Sequence, residues 1–245
     1  ADPRVVPSAR KLDYVPYADM LELASCGTKV LYIRAVELAS RWQVPLHVRS
    51  SFSELPGTIV ADRDHPAVEG ITMEEAVITG ITTDRSESKI TVIGVPDKPG
   101  VAADLFGAVA DAGVNIDMIV QNVSAENTRL TDISFTAPTD QGPTAIAVLQ
   151  EQQRHLGFAE LRLDDEIVKL ALIGAGMRTH PGVTARFFAA LAGAGVNIEM
   201  ITTSEIRISV VTRAEALDAA VRAVHTAFGL DSVRGEAVVY GGTGR

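Results

Sequence analysis

A duplicated segment constrains the fold of this 245-residue chain more than any other feature. Residues 94–119 read GVPDKPGVAADLFGAVADAGVNIDMI, and residues 174–201 read GAGMRTHPGVTARFFAALAGAGVNIEMI. Each copy turns at Pro-Gly, continues with apolar residues at helical spacing and then reaches the same VNI sequence. A chain that repeats a turn, a helix and a strand in this order contains two copies of one supersecondary unit.

Hydrophobic periodicity extends both copies to the same order of elements. The runs KITVIGV (89–95) and VKLALIGA (168–175) are aliphatic and β-branched and stop at glycine, as strands do. The helices after the Pro-Gly turns end at Gly113 and Gly195, which suit the left-handed conformation that closes a helix. Two strands able to form a hairpin, a second helix and a final strand, ELRLD or EAVVYG, complete each copy. The sequence therefore predicts an α+β fold with two ferredoxin-like βαββαβ units.

The residues before the repeats predict a different kind of structure. Residues 20–42 carry apolar side chains near helical spacing, interrupted at Gly27, and predict two helices. VPLHVRSSF (44–52) predicts a strand, and the proline, glycine and polar residues of 53–70 indicate a boundary or linker. The predicted division is an N-terminal region with its linker, a first repeat unit with a leading strand and a second repeat unit, at residues 1–70, 71–163 and 164–245.

Composition and charge narrow the classes of partner. A formal net charge of -9, without a Lys/Arg cluster, argues against nucleic acid and against an anionic membrane. No apolar run approaches membrane-spanning length, and the single cysteine, Cys26, cannot form an internal disulfide. We therefore expect a soluble, cytoplasmic protein that binds small molecules or proteins. Because Ala1 begins what reads as mid-domain sequence, we expect a fragment, a processed chain or one subunit of a larger enzyme.

The turn before the first repeated helix is a candidate ligand site. In PDKPGVAA the chain bends at Pro99-Gly100 and starts a helix, so the unpaired amides of the first turn border the loop. A free amino acid could place its carboxylate on those amides and its ammonium on Asp97. Asn115 and Gln121 could add side-chain amide contacts from the neighbouring strand. From the residue types alone, Asp97 and Gly100 can equally form only a turn and a helix start.

These segments in combination resemble aspartate kinase. GVPDKPGVAADLFGAVADAGVNIDMIVQNVS and IGAGMRTHPGVTARFFAALAGAGVNIEMITTSEIRISV are similar to its paired ACT domains. SCGTKVLYIRAVELASRWQVPLHVRSSFSELPGTIV resembles the end of its catalytic domain, and ADPRVVPSARK resembles a nucleotide-side loop before it. The resemblance covers essentially the whole chain and is nearest to the lysine- and threonine-sensitive enzymes that also make a separate regulatory β subunit. It implies two ACT units preceded by a remnant of an α/β amino-acid-kinase domain.

The resemblance implies an allosteric sensor for the enzyme that phosphorylates the β-carboxyl group of L-aspartate with ATP, at the head of lysine, threonine and methionine synthesis. The effector, threonine or lysine, would lie between ACT units of two chains and act by feedback inhibition. One side of its pocket would consist of Asp97, Lys98, Pro99, Gly100, Val101, Ala102, Asn115, Ile116, Asp117 and Gln121. The other side would consist of Val183, Thr184, Asn197, Ile198, Ser204 and Glu205.

A shared pocket accounts for the difference between the two copies. The second copy has no acid that matches Asp97, because its role would be to complete the pocket of a first unit. MRTHPG also carries two more residues than the first turn, so the two loops cannot have the same shape. An alternative stays open, in which the ACT units only hold kinase subunits together. The implied partners are the effector, a second copy of the chain, and the catalytic α subunit or the full-length enzyme.

The N-terminal region resembles only part of a catalytic site. By resemblance, Arg4, Lys29 and Val30 would contact the nucleotide in the complete enzyme, which uses ATP and magnesium. The family has HP where this chain has Tyr32-Ile33, so we expect different local packing there. Phosphoryl transfer needs positioned cations and bound aspartate, yet the family's lysine-bearing glycine motif, near KFGG, and a GxxxxGK[ST] motif are both missing. We therefore expect the chain alone to be inactive and to hold no cofactor. The spacing of its histidines also argues against a zinc site.

Overall fold

The computed structural model describes residues 1–71, 77–122 and 129–231. Short 3-10 helices lie at Pro66–Val68, Ala175–Arg178 and Ala214–Ala216. The described strands and α-helices are, in chain order, β1 Tyr14–Pro16, α1 Tyr17–Ser25, α2 Ile33–Arg41, β2 Leu46–Val48, β3 Thr58–Ala61, β4 Gly80–Asp84, β5 Glu87–Pro96, α3 Val101–Asp111, β6 Ile119–Asn122, β7 Leu130–Pro138, α4 Gly142–Leu156, β8 Glu160–Asp164, β9 Ile167–Ile173, α5 Val183–Gly193, β10 Met200–Thr203, β11 Arg207–Arg213 and α6 Leu217–Ala227.

The first repeat forms one complete unit, called the first unit below. Its sheet has the strand order β6-β7-β5-β8, and all neighbouring strands are antiparallel. Ile90 and Val92 of β5 alternate with more exposed residues and pack with the apolar sides of α3 and α4 in one core. Both helices therefore cover one face of the sheet, which confirms the predicted ferredoxin-like order. The other face, which carries no helix, is called the open face.

The fourth strand of the second unit's sheet comes from residues that precede the first unit in the sequence. Its sheet has the order β10-β11-β9-β4, and β4 pairs antiparallel with β9 from Gly80–Ile173 to Asp84–Lys169. The predicted first unit, residues 71–163, included a leading strand. The strand found there, β4, belongs to the second sheet, and we correct that placement, because β8 already occupies the edge beside β5. EAVVYG, predicted as the final strand of the second unit, lies outside the described residues. The first unit is thus inserted between two strands of the second.

The helix ends of both units follow the predicted pattern. Helix α3 ends two residues before Gly113, and α5 ends two residues before Gly195. Both glycines have a positive φ, 75° and 69°, in the left-handed region that the prediction required. The β6–β7 and β10–β11 pairs form the predicted antiparallel hairpins. The internal repeat therefore fixes the local structure of both units in the same way.

The N-terminal region packs against the second unit. Helices α1 and α2 flank Gly27, as predicted, and β2 lies within the predicted strand. The predicted linker, residues 53–70, contains β3, which is the central strand of the sheet β1-β3-β2. This part of the linker is structured because its TIVA run buries Val60 and Ala61 completely. The core of this region includes Ile173 at the end of β9, so it is continuous with the second sheet.

Strand β9 lies at the junction of all three parts of the chain. Val168, Leu170 and Leu172 face α5 and α6 in the core of the second unit. The alternate residues face away, and of these Ile173 meets the N-terminal region while Lys169 meets the first unit. Within the described ranges, no helix is both long and apolar enough to cross a membrane.

Candidate functional site

A cavity of about 310 Å³ lies where β5 meets α3 in the first unit. Its walls come from the end of β5, the turn, the first residues of α3 and the neighbouring strands β6 and β7. The lining residues are Val95, Pro96, Asp97, Lys98, Pro99, Gly100, Val101, Ala102, Gln121, Thr131 and Ile133. The structure therefore brings together residues 97–102 and Gln121 of the predicted effector site.

The local sequence forces the turn that shapes this cavity. The Asp97 backbone N–H donates to the Arg129 carbonyl at 2.8 Å, which keeps the chain beside β7 to the end of β5. Gly100 then adopts φ 98° and ψ -29°, a left-handed conformation that residues with a Cβ rarely take. Gly182 has φ 96° at the matching position before α5. Each Pro-Gly sequence thus places a helix start directly after its strand.

The helix start leaves hydrogen-bond donors at the cavity. No side chain caps α3 at Gly100, and its first helical bond runs from the Asp104 N–H to the Gly100 carbonyl. The N–H groups of Val101, Ala102 and Ala103 therefore lack helical partners at the positive end of the helix dipole. The Asp97 side chain is exposed and has no hydrogen-bond or ion-pair partner among the described residues. The cavity thus combines amide donors with a carboxylate, the two groups that complement an α-amino acid.

The other predicted residues of the first unit lie outside the cavity lining. The Asn115 backbone N–H donates to Gln141 Oε1 at 2.8 Å, and Ile116 packs against the core. Asp117 Oδ2 accepts a hydrogen bond from Lys169 Nζ at 2.5 Å, so this carboxylate faces the second unit. The structure of a single chain therefore separates residues 115–117 from the Asp97 carboxylate.

The predicted second side of the pocket is spread along the second unit. Val183 is buried in the core at the start of α5, whereas the next residue, Thr184, is exposed. Exposed Asn197 and half-buried Ile198 precede β10, and exposed Ser204 lies in the β10–β11 hairpin with Glu205. These six residues, Val183, Thr184, Asn197, Ile198, Ser204 and Glu205, do not line the described cavity of the first unit. A single chain therefore does not bring the two predicted sides together.

The turn of the second copy has a different shape, as its length predicted. After β9 the chain forms the short 3-10 helix Ala175–Arg178. A Cβ built at Gly176 would lie only 2.5 Å from Val77 Cα, so this turn packs closely against the segment that leads into β4. In the first unit, by contrast, an open cavity lies beside the turn. The two copies therefore cannot offer equivalent ligand sites.

The residues that the resemblance linked to a nucleotide lie on the surface. The Arg4 guanidinium pairs with Asp2 at 2.7 Å in the segment before β1. Lys29 and Val30 are exposed in the loop between α1 and α2. In the described part of the chain, no group of three His, Cys, Asp or Glu side chains is placed to hold a metal ion.

Sequence reasoning missed a set of ion pairs between the two units. Lys169 is only 2% exposed and lies 2.5 Å from Asp117 and 3.8 Å from Glu87 Oε1. Burial alone would lower the pKa of Lys169, but Asp117 and Glu87 raise the pKa above its usual value, so the ammonium stays charged. A second pair joins Lys89 to Glu199. The signal was present in the sequence, because both lysines and both acids occupy matching positions of the repeat.

Comparison with known proteins identifies the repeated units. The family model of the ACT domain matches residues 89–153 and 170–228. An aspartokinase of Mycolicibacterium smegmatis is 56% identical over 245 residues, which are 100% of this chain and 57% of that protein. The ligand-free regulatory subunit of aspartate kinase from Thermus thermophilus is 41% identical with a TM-score of 0.58, and the match covers 62% of this chain and 99% of that chain.

A more distant solved structure shares the fold. E. coli aspartokinase III in complex with lysine and aspartate is 24% identical, with a TM-score of 0.69 over 92% of this chain and 48% of that chain. The chain spans just over half the length of the curated relatives it matches. Both repeat units lie within the matched residues, and the match to aspartokinases extends through the N-terminal region. The chain therefore belongs to the ACT-domain family and matches the ACT-bearing part of aspartokinases.

Proposed function

We propose that this region senses an end-product amino acid and transmits feedback inhibition to aspartate phosphorylation. The observation that carries the proposal is the cavity at α3, where the unpaired amides of the first turn and the Asp97 carboxylate border the same space. Its volume of about 310 Å³ is at the lower end of the range of about 300–1,000 Å³ for small-molecule sites. This size suits a free amino acid rather than a nucleotide.

The proposed binding mode follows from the charges of the cavity. The effector's carboxylate accepts from the N–H groups of Val101 and Ala102, and its ammonium pairs with Asp97. The exposed Gln121 amide lies on the wall of the cavity and is available to a polar effector side chain. Threonine is the first ligand to test, because its hydroxyl adds no charge beside Lys98, which also lines the cavity. Lysine is the second, and it is the amino acid present in the E. coli complex.

A second copy of the chain would complete the pocket. In one chain the described cavity is lined by the first unit alone. Four residues of the predicted second side lie exposed on the second unit, namely Thr184, Asn197, Ser204 and Glu205. Among the described strands, β6 and β10 each form one edge of their sheet, and each exposes an isoleucine, Ile119 or Ile201, at the matching position. These two edges support a homodimer in which a first unit pairs with the second unit of its partner. Such a dimer would bring Ser204 and Glu205 toward the cavity.

The catalytic partner would be the α subunit or the remainder of a full-length aspartokinase. In that enzyme, ATP with magnesium would supply the phosphoryl group for aspartate. Arg4 and Lys29 are exposed cations, which suits them to phosphate contacts there, with Val30 beside the nucleotide. Arg4 would first have to leave Asp2, its partner in this structure. The proposal excludes nucleic acid and membranes as partners, because the chain is acidic and lacks a basic cluster.

The second candidate function is an assembly module without effector binding, which the exposed edge strands would also serve. A melting scan with each amino acid separates the two functions. A ligand that binds only the folded protein adds about 2.7 kcal/mol at a hundredfold excess over its Kd. A raised Tm with threonine or lysine, but not with alanine, supports the sensor. An unchanged Tm with every amino acid would favour the assembly module.

A further inference from the structure

The two ACT units of the chain are joined by a reciprocal set of ion pairs. Lys169, near the start of β9 in the second unit, binds Asp117 of the first unit at 2.5 Å. Lys89, near the start of β5 in the first unit, binds Glu199 of the second unit. The lysines match in the repeat, as KITVIG and KLALIG, and the acids match as VNID and VNIE. Exchanging the two units therefore converts one lysine–acid pair into the other, as at the two-fold interface of a homodimer, although both units belong to one polypeptide.

An apolar contact with the same symmetry lies beside the ion pairs. Met118 and Met200 directly follow the two acids, and both are buried in one cluster with Ile167 and Val211. Val211 pairs with Lys169 across the second sheet, so this cluster lies on the face of that sheet that points away from α5 and α6. Lys169 is 2% exposed, and Lys89 is 18% exposed with Glu199 at 17%. Lys169, Lys89 and Glu199 are thus largely shielded from water, whereas Asp117 is 34% exposed. A shielded charge without its partner is strongly disfavoured.

The two acids end two asparagine-bearing segments that were predicted for the effector site and that lie outside the cavity lining of a single chain. Asp117 directly follows Asn115 and Ile116, and Glu199 directly follows Asn197 and Ile198. The backbone of each acid is also tied to the neighbouring strand. The Asp117 N–H donates to the Thr136 carbonyl at 3.2 Å, and the Glu199 N–H donates to the Val211 carbonyl at 2.8 Å. Each asparagine-bearing segment is therefore held at its C-terminal end by a side chain of the opposite unit.

We propose that Lys169 and Lys89 are positioning residues for the effector pocket. Lys169 fixes the segment 115–117 through Asp117, and Lys89 fixes the segment 197–199 through Glu199. The inference rests on the proposed function, because the segments matter to binding only if an effector is bound there. Without its lysine, a segment samples more conformations in the free protein. Ordering that segment then adds an entropic cost to binding, and the affinity for the effector falls.

Hydrogen exchange of the free protein tests the positioning itself. The variants are Lys169→Met and Lys89→Met, with Arg207→Met as a matched control. Arg207 pairs with Glu22 at 3.0 Å between the second unit and α1, is also mostly buried, and makes no hydrogen bond or ion pair with either segment among the described residues, although the charge of Asp117 reaches it at longer range. We expect the Asp117 amide to exchange at least tenfold faster in Lys169→Met, and the Glu199 amide in Lys89→Met. Unchanged rates, or equal acceleration of both segments in all three variants, would overturn the proposal.

Calorimetric titration with threonine and lysine tests the consequence for the pocket. We expect each lysine variant to lose at least threefold in affinity, and Arg207→Met to bind as wild type does. Asp117→Glu and Glu199→Asp should retain affinity, because each introduces the acid found at the matching position. If exchange accelerates and affinity does not change, the segments do not serve the pocket and the proposal fails.

Two further measures keep the outcomes distinct. If Lys169→Met does not fold, Asp117→Asn replaces it, because Asp117 is 34% exposed and its loss leaves Lys169 beside Glu87. The amide of residue 117, after correction for the intrinsic exchange rate of asparagine, should again exchange at least tenfold faster in that variant, and an unchanged rate would overturn the proposal. If the wild-type chain binds neither amino acid, the proposed function fails, whereas the exchange rates still decide whether the lysines position the segments.

Discussion

Replacement of Asp97 by alanine removes the only predicted counter-ion for the effector's ammonium. In the free chain the Asp97 side chain is exposed and has no hydrogen-bond or ion-pair partner among the described residues. Its backbone N–H, which holds the turn to Arg129, is unaffected by the change of side chain. The substitution therefore removes one charged group from the cavity and leaves the walls in place.

The expected loss of affinity follows from the strength of a charge-assisted hydrogen bond. Such a bond contributes about 1.5–3 kcal/mol, and 1.4 kcal/mol corresponds to a factor of about ten in Kd. Threonine affinity should therefore fall by about ten- to a hundredfold in Asp97→Ala. Without ligand, the free energy of unfolding should change by no more than about 0.5 kcal/mol, because the side chain is exposed and caps no helix.

Calorimetric titration and denaturant unfolding of the same preparations measure both quantities. Asp104→Ala is the matched control, since Asp104 is an exposed acid of the first turn of α3 that does not line the described cavity. It should bind threonine within about threefold of wild type, because the two substitutions change the net charge equally and only Asp97 borders the cavity. Unchanged affinity in Asp97→Ala, or a large loss of stability without ligand, would show that Asp97 is a turn residue and not the counter-ion.

Three further predictions concern catalysis, assembly and pH. The chain should release no ADP from ATP and aspartate above a no-enzyme control, because the lysine-bearing glycine motif is missing; turnover would refute this. Sedimentation should give about twice the 26.0 kDa chain mass, and a monomer that binds threonine tightly would contradict the shared pocket. Burial lowers the pKa of His225, although Asp231 lies 3.3 Å away. The unfolded chain therefore takes up the proton first as the pH falls below about 6.5, and the free energy of unfolding should decrease there. His225→Leu should lose this part of the pH dependence in denaturant titrations, and an unchanged dependence would refute the assignment.

The local structure of the repeats could be predicted because it depends on neighbouring residues. The signals that predicted it each act within about a dozen residues: the helical spacing, the Pro-Gly turns and the glycines after α3 and α5. The helices and turns of the structure agree with these signals. The cavity at Asp97 could be predicted for the same reason. Its donors and its carboxylate lie within one turn, so the sequence order alone brings them together.

The pairing of β4 could not be predicted from local pattern. A leading strand was predicted for the first unit, but the strand found there, Gly80–Asp84, pairs with β9, which follows only after the whole first unit. Periodicity identifies a strand without identifying its sheet, and the adjacent first unit was the simpler assignment. The ion pair between Lys169 and Asp117 was missed for a related reason. Matching positions in a repeat show that two residues are equivalent within their own units. They do not show that the two units contact each other.

Amide NMR of the isotope-labelled chain during a threonine titration tests the central claim most directly. If the effector's carboxylate binds at the start of α3, the N–H signals of Val101, Ala102 and Ala103 should shift most and saturate with one Kd. The matching signals of Thr184 and Ala185, at the start of α5, should shift far less, because the second turn is closed by packing against Val77. Saturable shifts centred on α5, or no shift at Val101 and Ala102 while threonine binds, would contradict a sensor site at Asp97.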